Sequence, residues 1–266
     1  MRWVVRLVVL TGALMAQAAP GWAQRSVYLE ELTWTEVRDA IMAGKTTVII
    51  PCGGTEQNGP HMVLGKHNVR VKYTSGEIAK RVGNALVAPV LAYVPEGSLN
   101  PPSGHMQFPG TITLPPEYFE KVVEYAARSL KQAGFVDIAL IGDSGPNQAP
   151  LKAVADRLNR EWAGTPVRVH HLARYYRDNG FDRWLKQQGE KVVGNHADLP
   201  DTSLQLAVDP SGVRVDRLKP GTPGDGSGVS GDPTHASAAY GRKGLELSIQ
   251  AAIDELTALK RSSRAR

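Results

Sequence analysis

The feature that most limits how this chain can fold is an apolar, β-branched run that ends abruptly in a glycine-rich loop. "TTVIIPCGG" (46–54) and "FVDIALIGD" (135–143) are the two clearest cases. Such a continuous apolar run suits a strand covered on both faces, as in a parallel sheet, rather than the alternating strand of a one-sided antiparallel sheet. Helical segments intervene. "TWTEVRDAIMAG" (33–44) starts at a threonine cap and stops at Gly44, and "PPEYFEKVVEYAARSLKQAG" (115–134) has proline at its start and glycine at its end. Residues 68–84, 147–164 and 236–261 also read as helix, 85–94 and the start of 166–176 as strand, and 202–210 as either. The alternation predicts an α/β fold: a three-layer α/β/α sandwich with a mostly parallel central sheet. The 266 residues suit one sizeable domain, and 42% hydrophobic with 21% charged residues is an ordinary globular balance.

The first 23 residues stand apart. "MRWVVR" is a short basic start, "LVVLTGALMAQAA" is apolar, and "PGWAQ" supplies small residues for a cut. This predicts a signal peptide over 1–23, cleaved after Ala23, and a mature domain over 24–266 that is periplasmic or secreted and free of the membrane. The apolar run falls short of the roughly 20 residues that span a bilayer comfortably. Cys52 is the single cysteine, so no disulfide forms within the chain, and it reads as a small buried hydrophobe. Outside the tail "KRSSRAR" (260–266), basic residues are mixed with acids and do not interleave with aromatics, so no nucleic-acid partner is expected.

Sites in such sheets form in loops at the carboxyl ends of the strands. The loop at 53–68 holds Glu56, Asn58, His61 and His67; the long irregular stretch at 95–115 holds His105; "IGDSGPN" (141–147) holds Asp143 and Ser144; "GNHADLPDTS" (194–203) holds His196, Asp198 and Asp201. Glutamate and histidine in a strand-end loop can bind a borderline metal, although a solvated polar loop has the same composition. His105 suits a substrate pocket or a structural hydrogen bond equally. A histidine flanked by acids, such as His196, can be a general base, an electrophile or a ligand. His170 and His171, with no acid beside them in sequence, read as structural or surface residues. The Gly-Asp-Ser at 142–144 and "DPTH" at 232–235 also allow a serine esterase triad of Ser144, Asp232 and His235, while Asp232 on its own reads as a cap for the final helix or its turn.

Taken together, these loops resemble the creatininase (creatinine amidohydrolase) family of metal-dependent hydrolases. "TEQNGPHMVLGKH" is similar to the family's T-E-Q-H-G-P-H-x-P-L-G-x-D, and "GHMQFPGTITL" to its E-H-x-x-F-P-G-T-x-S-L. "IGDSGPNQAPL" stands where the family has N-G-H-G-G-N, "GNHADLPDTS" resembles G-G-H-A-G-E-x-E-T-S, and "GVSGDPTHASAAYGRKGLE" resembles its closing segment. Order and spacing agree from about residue 33 to 258. The resemblance implies a metal-activated water attacking a small cyclic or linear, non-peptide amide, two divalent metals in typical members, and a homo-oligomer, commonly a hexamer. It also makes the segment around Asp232 a structural loop, which leaves little to the serine triad.

Several ligand positions depart from the pattern. Glu56 matches the first family ligand, but Asn58 stands for a histidine, His67 for the bridging aspartate, Asp143 for the histidine of the third loop, and Leu199 for a glutamate. An aspartate has become histidine and a histidine aspartate, so Glu56, His67 and Asp143 are expected to hold one Zn, Mn or Fe ion per chain. The resemblance gives His196 the general acid/base role, with Asp201 orienting it or joining the metal shell, and leaves Asn58, His61, His105 and Ser144 to substrate. The competing expectation is a catalytically inactive binding or structural protein that has kept the fold.

Overall fold

Residues 26–264 are described by a computed structural model, and the expected signal peptide at 1–23 lies outside them. The central sheet contains β1 (Thr47–Cys52), β2 (Ala85–Val87), β3 (Asp137–Gly142) and β4 (Arg168–His171). All of its pairings are parallel, in the order β2-β1-β3-β4. Every residue of β1 and β3 is buried, as their unbroken apolar runs demand.

Eight α-helices accompany the sheet among the described residues: α1 (Trp34–Met42), α2 (Lys66–Val82), α3 (Pro116–Ala133), α4 (Gln148–Glu161), α5 (Ala173–Tyr176), α6 (Phe181–Gln187), α7 (Leu199–Val208) and α8 (Ala238–Arg264). Successive strand residues point to opposite faces. Val48, Ile50 and Cys52 of β1 pack with Phe119 and Val123 of α3 and with Leu151 and Leu158 of α4. Ile49 faces the other way, toward Val71 and Ile78 of α2 and Ile249 and Leu256 of α8. These two cores make the three layers, and each large side chain in them contributes about 1.5–3 kcal/mol by leaving water. Cys52 is fully buried, and burial pushes its thiol pKa up, which keeps it unreactive.

Local signals explain where elements begin and stop. Thr33 accepts the Glu36 N–H while the Glu36 carboxylate takes the Thr33 N–H, a reciprocal cap that starts α1. The strand expected over 85–94 ends at Val87. Pro89 has no N–H to give a ladder, and the chain returns only as isolated bridges from Leu91 to Cys52 and from Val94 to Thr113. The ambiguous 202–210 stretch is mostly helix, in α7, because Asp198 caps the Asp201 N–H and Pro200 sits in the first turn. His170 does have an acidic neighbour: Asp137 on the adjacent strand, 2.9 Å away.

From β1 the chain steps to β2 on one side and to β3 on the other, so a crevice opens beyond the carboxyl ends of β1 and β3. A short antiparallel pair, β5 (Gly194–His196) and β6 (Ser230–Gly231), brings His196 to that end. Among the described residues no helix is long and apolar enough to cross a membrane.

Candidate active site

The crevice is a cleft of about 1100 Å³ whose lining includes Glu56, Lys66, His67, Arg70, His105, Asp143, Ser144, His196 and Asp201. Six loops, strands or helix starts deliver these side chains, Asp201 coming from the start of α7. Glu56 comes from the loop after β1, His105 from the long 95–115 stretch, Asp143 from the end of β3, and His196 from β5. Lys66, His67 and Arg70 come from the first two turns of α2, whose first turn has no acid of its own. Cations at a helix amino terminus oppose the helix dipole, so carboxylates from other elements must compensate them.

They do so in a row. The two His67 nitrogens face different carboxylates, with Nε2 2.8 Å from Glu56 Oε1 and Nδ1 2.7 Å from Asp143 Oδ2. Burial works to lower the His67 pKa, but Glu56 and Asp143 outweigh it and hold the imidazole above its usual range. Arg70 donates from Nε to Asp143 Oδ2 and from Nη1 to Asp201 Oδ1, both at 2.7 Å. Arg70 Nη2 also lies 3.0 Å from His67 Nδ1, a like-charge contact that the shared Asp143 offsets. Tyr175 donates to the other Asp143 oxygen at 2.7 Å. The fully buried Lys66 ammonium sits on Asp201 Oδ2 and lies 3.7 Å from Glu56 Oε1.

Glu56, His67 and Asp143 are therefore in contact, as their sequence positions suggest, but not around one point. An imidazole stands between the two carboxylates with both nitrogens engaged, and both Asp143 oxygens are occupied. The three residues expected to hold one metal ion form a chain of ion pairs. Ligand atoms converge elsewhere: among the described residues, Glu56, His105 and His196 offer atoms within 4.8 Å of one another. His105 Nε2 is 3.4 Å from Glu56 Oε2, and His196 Nδ1 is 3.6 Å from Glu56 Oε1. Glu56 Oε2 is buried, and no cation or backbone N–H covers it.

Gln57 sets the two imidazoles differently. Its Oε1 accepts the Gly59 N–H, so its amide nitrogen faces the rings, and it donates to His105 Nδ1 at 3.0 Å. The remaining proton of His105 is thus on Nε2, toward Glu56. His196 Nε2 is 2.9 Å from the Gln57 carbonyl, which can only accept, so His196 Nδ1 carries a free lone pair. Burial and then the Lys66 ammonium push His196 down to about 3, and burial lowers His105 as well, so both rings are neutral. Burial opposes ionisation of Glu56, but His67 and Lys66 outweigh it and hold the carboxyl well below its usual range. Glu96 is its counterpart. Burial, followed by its hydrogen bond to Glu56, pushes Glu96 up to about 11, so it stays a neutral acid that donates its proton to Glu56 and has no other side-chain partner.

The other expected residues divide cleanly. His105 and Ser144 line the cleft. Asn58 and His61 do not belong to it: Asn58 spends its amide on the Glu56 and Val63 carbonyls, bracing the loop, and His61 Nε2 pairs with Thr202 Oγ1. Asp201 does not touch His196 through a hydrogen bond; it binds Lys66, Arg70 and the Ala197 N–H. The serine triad is not assembled. His235 is exposed and pairs with Glu190, Asp232 caps Thr234, and both line a separate small pocket, while Ser144 lies in the main cleft.

Lys66, Arg70, Gln57 and Glu96 were not singled out from sequence. A signal was present: "GKHNVR" (65–70) opens a helix with three basic residues and no acid, against the usual preference for acids there. Glu96 opens the long loop already marked as functional.

The pattern of the family described as creatininase, creatinine amidohydrolase, matches residues 30–256. This chain belongs to the creatininase family. The creatinine amidohydrolase of Pseudomonas putida is 29% identical over 202 residues, covering 73% of this chain and 76% of that protein. The mycofactocin precursor peptide peptidase of Mycolicibacterium smegmatis is 27% identical over 219 residues, covering 74% and 78%. Among solved structures, one described as creatininase Mn superposes with a TM-score of 0.73 at 27% identity over 86% of this chain and 97% of that one. A mutant creatininase described as Zn–Zn type gives 0.71 at 28% identity, covering 86% and 96%. The creatininase match agrees with the mostly parallel sheet flanked by helices.

Proposed function

We propose that this protein hydrolyses a C–N amide bond with one divalent metal ion, zinc or manganese, held by Glu56, His105 and His196. The observation that carries the proposal is the convergence of ionised Glu56 with two neutral imidazoles, His105 and His196, whose ligand atoms all lie within 4.8 Å of one another in the cleft. A glutamate with two histidines is a donor set suited to these metals. His196 presents its lone pair on Nδ1 as it stands. His105 joins on moving its proton to Nδ1 and turning the Gln57 amide, at a cost of about 1–3 kcal/mol for a displaced hydrogen bond, small beside typical metal-binding energies. The metal, when bound, supplies the Lewis acidity that polarises the amide carbonyl and activates water at neutral pH.

The chain's own groups do the rest. His67 and Lys66 keep Glu56 ionised. The Gln57 carbonyl and amide fix the two rings, and neutral Glu96 backs Glu56 with a proton it does not release near pH 7. The large cleft suits a small cyclic or linear amide with room to spare. A peptide substrate is the second reading, supported by that volume and by the peptidase among the relatives. The sequence supports export to the periplasm or beyond, and the family resemblance supports a homo-oligomer. The test is amine release from a panel of creatinine, small linear amides and short peptides, after chelation and after Zn²⁺ or Mn²⁺ is restored. Activity that returns with metal and is absent in Glu56→Gln supports the reading; hydrolysis of none of the panel, or equal activity in Glu56→Gln, contradicts it.

A further inference from the structure

We infer that Lys66, with Arg70, is a built-in cation that replaces a second metal ion in this cleft. The inference concerns the metal count and rests on the proposed site only for the position of the first ion. Lys66 is fully buried at the start of α2, an unfavourable place for an ammonium unless acids surround it. Its Nζ lies between Glu56, from the loop after β1, and Asp201, from the first turn of α7. Arg70 spans the remaining gap, from Asp201 to Asp143. Three carboxylates, Glu56, Asp143 and Asp201, thus face two fixed cations and the His67 imidazole that Glu56 and Asp143 share.

This balance leaves no charge for a second divalent ion to neutralise. Asp143 has both oxygens covered, by His67, Arg70 and Tyr175, and Asp201 has both covered, by Arg70, Lys66 and the Ala197 N–H. A second metal ion would have to displace a buried ammonium or guanidinium and then sit among the cations that remain. Of these three carboxylates, only Glu56 keeps an oxygen, Oε2, that no cation covers, on the side of His105. The same acids that hold Lys66 would form a cation site once its charge is removed.

The test uses the full mature protein, Lys66→Met and the milder Lys66→Gln. After loading with Zn²⁺ or Mn²⁺ and gel filtration, metal per chain is measured, and thermal melting is followed with and without metal. The expected result is one equivalent for the unaltered protein and an additional equivalent in the variants, with a melting temperature that rises on metal addition. Two equivalents in the unaltered protein overturn the inference. So do folded variants that take up no more metal than the parent, or unfolded variants that metal does not rescue. No metal in the unaltered protein with one in the variants would support the inference while contradicting the proposed function.

Discussion

The two ends of the central sheet each carry a buried ionic cluster, and the two are finished differently. At the amino end, Asp137 of β3 meets His170 at 2.9 Å, Lys260 at 3.0 Å and Arg264 at 3.4 Å, and neither oxygen is left over. Lys260 also donates to Thr47, so α8 is tied to the starts of β1 and β3. At the carboxyl end, Asp143 and Asp201 are equally saturated, yet Glu56 and Glu96 keep buried oxygens that no cation or backbone N–H covers. A structural cluster satisfies every polar atom, because each orphan costs about 1–3 kcal/mol. Orphan atoms also occur away from the cleft, at Ser75, Asn147, Arg157 and Gln205, so what sets the cleft apart is that Glu56 stands within ligand reach of two imidazoles, His105 and His196.

The largest expected break in this comparison is Glu56→Gln. It removes the charge on which the cleft site depends, and we expect loss of bound metal and a fall in kcat/KM of about 10³-fold or more, by analogy with the loss of one key charge-stabilising group. Metal analysis and steady-state kinetics check it. Arg70→Met attacks the saturated part of the same end. It leaves Asp143 and Asp201 short of a partner, and urea unfolding should show a loss of about 3–5 kcal/mol. His196→Ala should lower kcat by about 10²–10⁴-fold, whether as ligand or as proton acceptor, with the melting temperature nearly kept.

Asp137→Asn sharpens the contrast at the other end. Burial acts to raise Asp137, but the His170 and Lys260 bonds outweigh it and hold its carboxyl below the usual range. Its stabilisation is therefore present above the unfolded pKa, near 3.8, and is lost as pH falls through the still lower folded value. The variant should lose about 1–3 kcal/mol at pH 7, and its deficit should shrink in acid, while kcat/KM stays unchanged. Ser144→Ala should have the smallest effect, within about twofold in activity, because no general base reaches it; a large loss would revive the serine reading.

Much of the fold was legible because burial on both faces writes itself into a strand as an unbroken apolar run, as in β1 and β3. Pro89 and the Asp198–Pro200 cap are the local chemistry that decided the two segments where periodicity alone misled or stayed silent. The site was legible in part. Four loops pointed to one cleft, and Glu56, His105 and His196 do meet there. The missed pieces are of one kind. A lysine or arginine in a linear sequence reads as a solvated charge, and only the folded chain shows Lys66 and Arg70 buried against acids from other loops. The exchange of aspartate and histidine at positions 67 and 143 suggested a retained ligand set; in the folded chain the two residues meet as an ion pair flanked by Glu56 and Arg70.

The most direct test of the central claim is a crystal structure of the Zn²⁺-loaded protein with the metal located by anomalous scattering at the zinc edge. The account predicts one peak per chain, bounded by Glu56, His105 and His196, with Lys66 still on Asp201. A peak between His67 and Asp143, or a pair of peaks with Lys66 displaced from Asp201, would contradict it.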